Sequence, residues 1–302
     1  PGTCGCGVAD TDSDGDGVAD CNDNCPELPN PNQADCDGDG VGDVCAFASG
    51  AADCNGNGVP DSCDIADGTS ADANGNGIPD ACEEEVVVNV PGDFETIGDA
   101  LAAVEDGAVI EIEPGTYPGP IDFGGLSVTL AGAEGAQVIL DGEGLDGPVV
   151  SVIVPDGIAG GSQVVFRHIL VRGGSVGAVV AGADEPIGGG IAMLNASLRL
   201  ENCVVEANSA GKGGAIGAVA SSLVLVDSEV RDNATTGDGG AIFARDSGVV
   251  VENSVFTGNI AAGRGGAIEA VGGELLIDLC VFEANSASAE GGALAWSGGG
   301  FG

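Results

Sequence analysis

Positive charge is almost missing from this chain. Its 302 residues hold 7 Lys+Arg against 48 Asp+Glu, a formal net charge of −41 at pH 7. That excludes a nucleic-acid partner, because a phosphate backbone is held by a cationic surface and repelled by an anionic one. Anionic lipid is excluded on the same ground. Aromatic residues are scarce, at 3%, so the chain lacks the large side chains of a thick globular core. No apolar run reaches the roughly 18 residues that a membrane-spanning helix needs. No signal-peptide pattern precedes Pro1-Gly2-Thr3-Cys4, so the polypeptide is expected to be mature or cropped. What is plentiful is glycine, with 56 residues, and cysteine, with 11.

The composition changes at Glu85. Residues 1–85 contain 20 acids, no Lys or Arg, one aromatic residue (Phe47) and nine of the cysteines. Residues 86–302 contain all seven cations, the Val/Ile/Leu-rich runs, Cys203 and Cys280. Two domains are expected, 1–85 and 86–302. The first cannot bury enough apolar surface to offset its chain entropy, so it is either disordered or held by disulfides and metal. Its cysteines point to an oxidising compartment, hence an extracellular or cell-surface location. Their odd number leaves at least one free or paired elsewhere.

Four segments of the first domain align without gaps, and counting from each first Asp puts oxygen-bearing side chains at loop positions 1, 3, 5 and 9. These are Asp12, Asp14, Asp16 and Asp20; Asp35, Asp37, Asp39 and Asp43; Asp53, Asn55, Asn57 and Asp61; and Asp72, Asn74, Asn76 and Asp80. Gly17, Gly40, Gly58 and Gly77 stand at position 6, and Val18, Val41, Val59 and Ile78 at position 7 offer a backbone carbonyl. Position 12 is Asp23, Asp64 and Glu83 in loops one, three and four, but Ala46 in loop two, which needs another ligand or binds weakly. Hard oxygen ligands at this spacing, with Gly at the sharp turn, form the EF-hand pattern for Ca²⁺. A solvated acidic linker would not repeat four times in register. Only the seven residues Ile65 to Ala71 separate the end of loop three from loop four. A leaving helix and an entering helix do not fit there, so the loops are expected to follow one another without helices.

This arrangement resembles thrombospondin type-3 repeats. The residues that carry the likeness are Asp12-x-Asp-x-Asp-Gly, Asp23-Asn24-Cys25-Pro26, Pro29-Asn30-Pro31-Asn32-Gln33 and Asp35-x-Asp-x-Asp-Gly-x-Gly-Asp-x-Cys45. In that family the chain wraps around a file of Ca²⁺ ions, and the resemblance implies a disulfide between Cys25 and Cys45. Ala46 departs from the family, where an acid follows that cysteine. Residues 53–83 resemble a shorter, Asn-rich bacterial variant of the loop. A Cys-x8-Cys spacing recurs as Cys36/Cys45 and Cys54/Cys63, while Ala73 stands where a cysteine would precede Cys82. That vacancy is one account of the odd cysteine count.

The second domain repeats itself. Segments beginning at Leu198, Leu223, Val249 and Leu275 each end in an Asn (Asn208, Asn233, Asn259, Asn285), at steps of 25, 26 and 26 residues. Each is followed by a Gly-Gly pair: Gly213-Gly214, Gly239-Gly240, Gly265-Gly266 and Gly291-Gly292. Val164 to Arg172 is an earlier copy. Short β-branched runs with period-two alternation and Gly/Asn turns at this period describe a parallel β-solenoid. The rival leucine-rich repeat lacks its Leu-x-x-Leu-x-Leu spacing. Thr96 and Asp99 form a capping box for an amphipathic helix over Ile97 to Val104, placed to cover the open end of the coil, and Val109 to Tyr117 reads as the first strand and turn. The domain resembles the right-handed parallel β-helix of pectate-lyase-like proteins. Its Gly-Gly-Ala-Ile and Asn columns resemble polymorphic outer membrane protein repeats.

Enzymes of that fold cut polysaccharides, so catalytic groups were sought along the aligned columns. Lys212, Asp238, Arg264 and Glu290 precede the Gly-Gly pairs, and Arg172, Glu206, Arg231, Thr257 and Glu283 form a second column. Alternating charges one coil apart are expected to make outward salt-bridge ladders. The remaining Arg167, Arg199 and Arg245 fall on different columns, and no aligned pocket supplies the base of a lyase. His168 aligns with Asn202, Asp227 and Asn253, as an outward column residue. Gly142-x-Gly-x-x-Gly147 precedes a strand-like run instead of a helix and reads as a turn. The Asn column is expected to form amide ladders. Cys203 and Cys280 share one column three coils apart, about 14 Å, too far for a disulfide.

The expectation is an all-β chain: a right-handed parallel β-helix with an N-terminal capping helix, preceded by an irregular, disulfide-stapled calcium-binding segment. The function expected is that of a non-enzymatic, secreted, calcium-stabilised structural or adhesive element, holding several Ca²⁺ ions of micromolar-to-millimolar affinity. It would associate end to end or continue in a longer polypeptide, with a cell-surface or glycan partner. A surface polysaccharide lyase or glycoside hydrolase is the alternative.

Overall fold

The computed structural model describes residues 3–5, 10–72, 77–82, 86–154, 162–177, 186–298 and 300–301. Cys6, Asn74, Asn76 and Glu83 lie outside the described residues. The chain divides into two compact units, Pro1–Glu84 and Glu85–Gly302.

Among the described residues of the first unit, the helical elements are α1 (Asp43–Ala48), α2 (Asp61–Asp67) and a 3-10 turn at Asp80–Cys82. These helices correct the expectation of loops without any. Each begins at loop position 9, and one leaving helix fits between loops three and four because no helix has to enter the next loop. Acids occupy their first turns, Asp43 in α1 and Asp61 and Asp64 in α2, where free backbone N–H groups favour negative charge.

Four disulfides staple this unit: Cys4–Cys21, Cys25–Cys45, Cys36–Cys63 and Cys54–Cys82. The second is the bridge implied by the thrombospondin resemblance. The last two link position 2 of one loop to position 11 of the next, so the Cys-x8-Cys neighbours do not pair. These bridges join eight of the nine cysteines of this unit. Polar bonding takes the place of an apolar core. Gln33 Nε2 donates to Asp23 Oδ1 and to Asn30 Oδ1, both at 2.9 Å, and Asn30 Nδ2 donates to Asn24 Oδ1 at 2.6 Å. Asn30 is buried there, beside Cys25.

The second unit is a parallel β-helix in which strands pair one coil apart. Val164, Leu198, Leu223, Val249 and Leu275 are partners in sequence, which is the register read from the repeat. Alternation decides the facing: Leu198 and Leu200 are buried while Arg199 between them is exposed. The strands form sheets of 14, 7 and 5 members, and Ile242–Glu252 and Ile268–Asp278 run unbroken around a corner of the largest.

Corners explain the loop residues. His168, Asn202, Asp227, Asn253 and Leu279 occupy one corner column, all left-handed with φ between 47° and 55°. Asn and Asp tolerate that conformation best among residues with a side chain. His168 is therefore a turn residue. At the Gly-Gly corner the backbones of successive coils stack so closely that a Cβ on Gly240 would collide with the carbonyl oxygen of Gly266.

Amide and hydroxyl ladders run along the coil. Asn208, Asn233 and Asn259 each donate from Nδ2 to Oδ1 of the next Asn, at 3.1, 3.0 and 2.9 Å, ending on Asn285. Cys203, Ser228, Ser254 and Cys280 stand on successive coils, and Ser228 Oγ accepts from the Cys203 N–H at 3.1 Å. Both cysteines are free thiols. The core is aliphatic with isolated rings, Phe123 against Phe166 at 5.6 Å and Phe256 against Phe282 at 4.9 Å.

Helix α3 (Ile97–Leu101) buries Ile97, Ala100 and Leu101, and its Thr96 cap accepts from the Asp99 N–H at 3.1 Å. It is shorter than the expected span to Val104. It packs against strands Val87–Val90 and Ile121–Asp122, so Val87–Val90, not Val109, begins the first strand.

Candidate metal centre

Loop one is organised from its first carboxylate. Asp12 Oδ1 accepts from Gly15 N–H at 2.8 Å and Oδ2 from Gly17 N–H at 3.1 Å. Asp14 Oδ1 accepts from Asp16 N–H at 3.1 Å, and Asp16 Oδ1 from Val18 N–H at 2.8 Å. Asp16 Oδ2 accepts in turn from the Asn30 N–H at 2.8 Å, so of these three carboxylates Asp14 keeps an oxygen without a donor. Gly17 makes the sharp bend at φ 99°, a left-handed value that an L side chain adopts only with strain.

Carboxylate oxygens of Asp12, Asp14 and Asp16 lie within 4.8 Å of one another. Asp23, at position 12, anchors Oδ1 on the Cys25 N–H at 2.8 Å and on Gln33 Nε2 at 2.9 Å. The remaining oxygens, Asp14 Oδ2 and Asp23 Oδ2, are buried with no hydrogen-bond donor. Burial raises the Asp14 carboxyl above its usual range, and the charges of Asp16, Asp23 and Asp12 raise it further against one backbone hydrogen bond. Converging carboxylates with orphaned oxygens are the donor set of a hard divalent cation, so the residues present fit Ca²⁺.

At position 9, where a ligand is expected, the carboxylates close their loops by hydrogen bonds. Asp20, Asp43 and Asp61 each accept through Oδ1 from the N–H of position 2 (Ser13, Cys36, Cys54), at 2.8, 2.9 and 2.9 Å. Asp20 Oδ2 is also taken, by Thr11 Oγ1 and Ser13 Oγ, and these hydrogen bonds hold its carboxyl below the usual range. Asp10 repeats the closure seven residues after Thr3, whose N–H it accepts at 3.0 Å. Sequence reasoning passed over Asp10, although the seven-residue spacing was there to be read.

Loop two gathers Asp35, Asp37 and Asp39 within 4.8 Å, with Asp35 accepting from Gly38 and Gly40 as in loop one. Its position 12, Ala46, lies in α1 and brings no oxygen side chain. In loop three Asn55, Asn57 and Asp64 come together, but by hydrogen bonds among themselves: Asn55 Nδ2 and Asn57 Nδ2 donate to Asp64 Oδ2 at 2.7 and 2.9 Å. The Asn55 bond leads in holding the Asp64 carboxyl below its usual range. In loop four the described part shows Asp72 Oδ2 accepting from Gly77 at 2.9 Å. Val41 and Ile78 at position 7 are exposed. Cys54 and Cys82 approach Asp61, but they are bridged to each other and offer no thiolate.

On the coil, the charge columns pair only in part along their own length. Lys212 reaches Asp238 at 3.6 Å and Arg231 reaches Glu206 at 2.5 Å. Arg172 binds Asp141 of the preceding coil at 2.8 Å, and Arg264 turns to Glu269 at 2.6 Å. Arg167 and Arg199 both hold Glu201, at 3.0 and 2.5 Å. Glu269 is an unforeseen buried carboxylate: it stands five residues after Arg264, fully covered, with Oε2 unpartnered.

Residues 3–33 match the family model of the thrombospondin type 3 repeat, and residues 253–270 match that of the Chlamydia polymorphic membrane protein repeat. Comparison with curated protein sequences returns no match. Among solved structures the chain is similar to the pectin methylesterase from Aspergillus niger, at 17% identity over 71% of this chain and 75% of that chain, with a TM-score of 0.46. It is also similar to the pectate lyase Pel9A, at 14% identity over 71% and 77%, with a TM-score of 0.35. These two likenesses concern the fold. Of the two family-model matches, the first falls in the first unit and the second within the parallel β-helix.

Proposed function

We propose that the chain is a calcium-stabilised structural or adhesive element that works outside the cell or on its surface. The observation that carries this reading is the pair of buried, donorless oxygens Asp14 Oδ2 and Asp23 Oδ2 in loop one. A cation in loop one would give these oxygens a partner and offset the repulsion of the converging carboxylates. Ca²⁺ would be held by Asp12, Asp14, Asp16, Asp23 and the Val18 carbonyl in loop one, and by Asp35, Asp37, Asp39 and the Val41 carbonyl in loop two. Four disulfides support an oxidising compartment. The coil supplies a stiff shaft, stabilised by its ladders, on which a cell-surface or glycan partner would dock. Exposed Leu276, Leu279 and Val281 would be covered by a second copy of the chain. Calorimetric titration of the whole chain tests the reading: saturable binding of more than one Ca²⁺ at micromolar to millimolar concentration supports it, and no heat over that range refutes it.

A polysaccharide-cleaving surface is the second reading, favoured by one observation. Burial raises the carboxyl of Glu269, on a face it shares with Asp238, Arg264 and Lys212. Glu269 is itself covered and cannot touch a sugar as it stands, so this reading ranks second. New reducing ends or unsaturated sugars released from pectin would reverse the order.

A further inference from the structure

Loops one and three share a backbone but not a chemistry. Position 3 uses the same oxygen in both, Asp14 Oδ1 accepting from Asp16 N–H at 3.1 Å and Asn55 Oδ1 from Asn57 N–H at 2.9 Å. Position 5 does likewise, Asp16 Oδ1 accepting from Val18 at 2.8 Å and Asn57 Oδ1 from Val59 at 2.7 Å. The loops diverge at the second branch of each side chain. In loop one, Asp14 Oδ2 and Asp23 Oδ2 are buried with no donor, while Asp16 Oδ2 accepts from the Asn30 N–H at 2.8 Å. In loop three the equivalent atoms of Asn55 and Asn57 are N–H donors, and both end on Asp64 Oδ2, at 2.7 and 2.9 Å. Asp64 Oδ1 is taken as well, by Thr69 Oγ1 at 2.9 Å.

We propose that loop three is closed without a cation: the amides of Asn55 and Asn57 do for Asp64 what Ca²⁺ does for the carboxylates of loop one. The exchange of Asp for Asn is isosteric, but it puts amide donors on Asp64, where the matching Asp23 keeps an oxygen without one. A cation entering loop three must turn both amides over, which breaks their bonds to Asp64 and withdraws Oδ1 from the Asn57 and Val59 N–H groups. Losing bonds of this kind weakens cation binding by at least about tenfold relative to loop one. The segment is also fastened by Cys36–Cys63 and Cys54–Cys82, so it keeps its form when loop one loses its ion. This inference rests on the calcium reading of loop one.

The test is a calcium titration of the ¹⁵N-labelled full chain, following the Gly17 and Gly58 amides, both donors to a position 1 carboxylate. The expected result is saturation of Gly17 at a calcium concentration at least about tenfold below that of any Gly58 shift, with Gly58 in its folded position in excess chelator. In Asn55→Asp/Asn57→Asp, Gly58 should gain a saturating shift. In Asp14→Asn/Asp16→Asn, Gly17 should keep its folded position in chelator, which tests the same exchange should the first variant fail to fold. A Gly58 response equal to that of Gly17 in the native chain overturns this inference alone. No response at Gly17 overturns the calcium reading and the contrast with it.

Discussion

Arg264 Nη2 donates to Glu269 Oε1 across 2.6 Å, while Glu269 Oε2 is buried with no partner. One residue is partly exposed and the other fully covered, so the pair is stabilised from one side only. Burial raises the Glu269 carboxyl most. Asp238 and Glu290 raise it further, and Arg264 and Lys212 oppose them.

A pH dependence follows with a definite sign. A carboxyl whose pKa is raised by folding binds its proton more tightly in the native state. Its favourable contribution is therefore complete below the unfolded carboxylate pKa and is lost as pH rises through the native one. Glu269→Gln removes this dependence. Melting curves from pH 4 to pH 8 should show the variant gaining on the native chain as pH rises, by about 2–4 °C. Parallel curves would show that Glu269 does not change its proton affinity on folding.

The free cysteines should differ in reactivity. Burial pushes the Cys203 thiol up to about 12, against opposing backbone hydrogen bonds, whereas Cys280 is half-buried. Because the thiolate is the reactive form, a soluble alkylating reagent should modify Cys280 in the native chain and leave Cys203 until denaturation. Peptide mapping reads the outcome. Equal labelling of the two, or a disulfide between them, would contradict the register of the coil.

The Asn ladder should hold the coil together at its centre. Asn233 donates to Val205 O and Arg231 O at 2.9 Å and to Asn259 at 3.0 Å, and it accepts from Asn208 N–H at 3.0 Å. Asn233→Ala leaves several buried groups unsatisfied and should cost about 3 kcal/mol in denaturant unfolding. Asn285→Ala, in a more exposed coil, should cost less. Equal and small losses would mean that side-chain amides contribute little to the stack.

Much of this could be read from residue order because the coil is periodic. Once Leu198, Leu223, Val249 and Leu275 align, the strand register, the Asn ladder and the distance between Cys203 and Cys280 follow from geometry. What escaped reading depends on contacts that periodicity does not encode. Arg264 belongs by column to Glu290, yet Glu269, five residues on and around the Gly-Gly corner, receives its guanidinium. The staggered bridges Cys36–Cys63 and Cys54–Cys82 connect successive loops, while the visible spacing lies within each loop. Helices α1 and α2 escape the loop spacing because the gap between loops has room for one short helix but not for two. A sequence pattern shows that Asn55 and Asn57 carry oxygen, but not that their amide N–H groups face Asp64.

The most direct test of the central claim is hydrogen exchange of the full chain, resolved by peptide, in calcium and in excess chelator. Residues 12–46 should be protected in calcium and exchange freely in chelator, while the coil from residue 86 onward is protected equally in both. Equal protection of residues 12–46 in the two conditions would contradict the account, because the disulfides and polar bonds alone would then be holding a segment in which Asp14 Oδ2 and Asp23 Oδ2 have no donor.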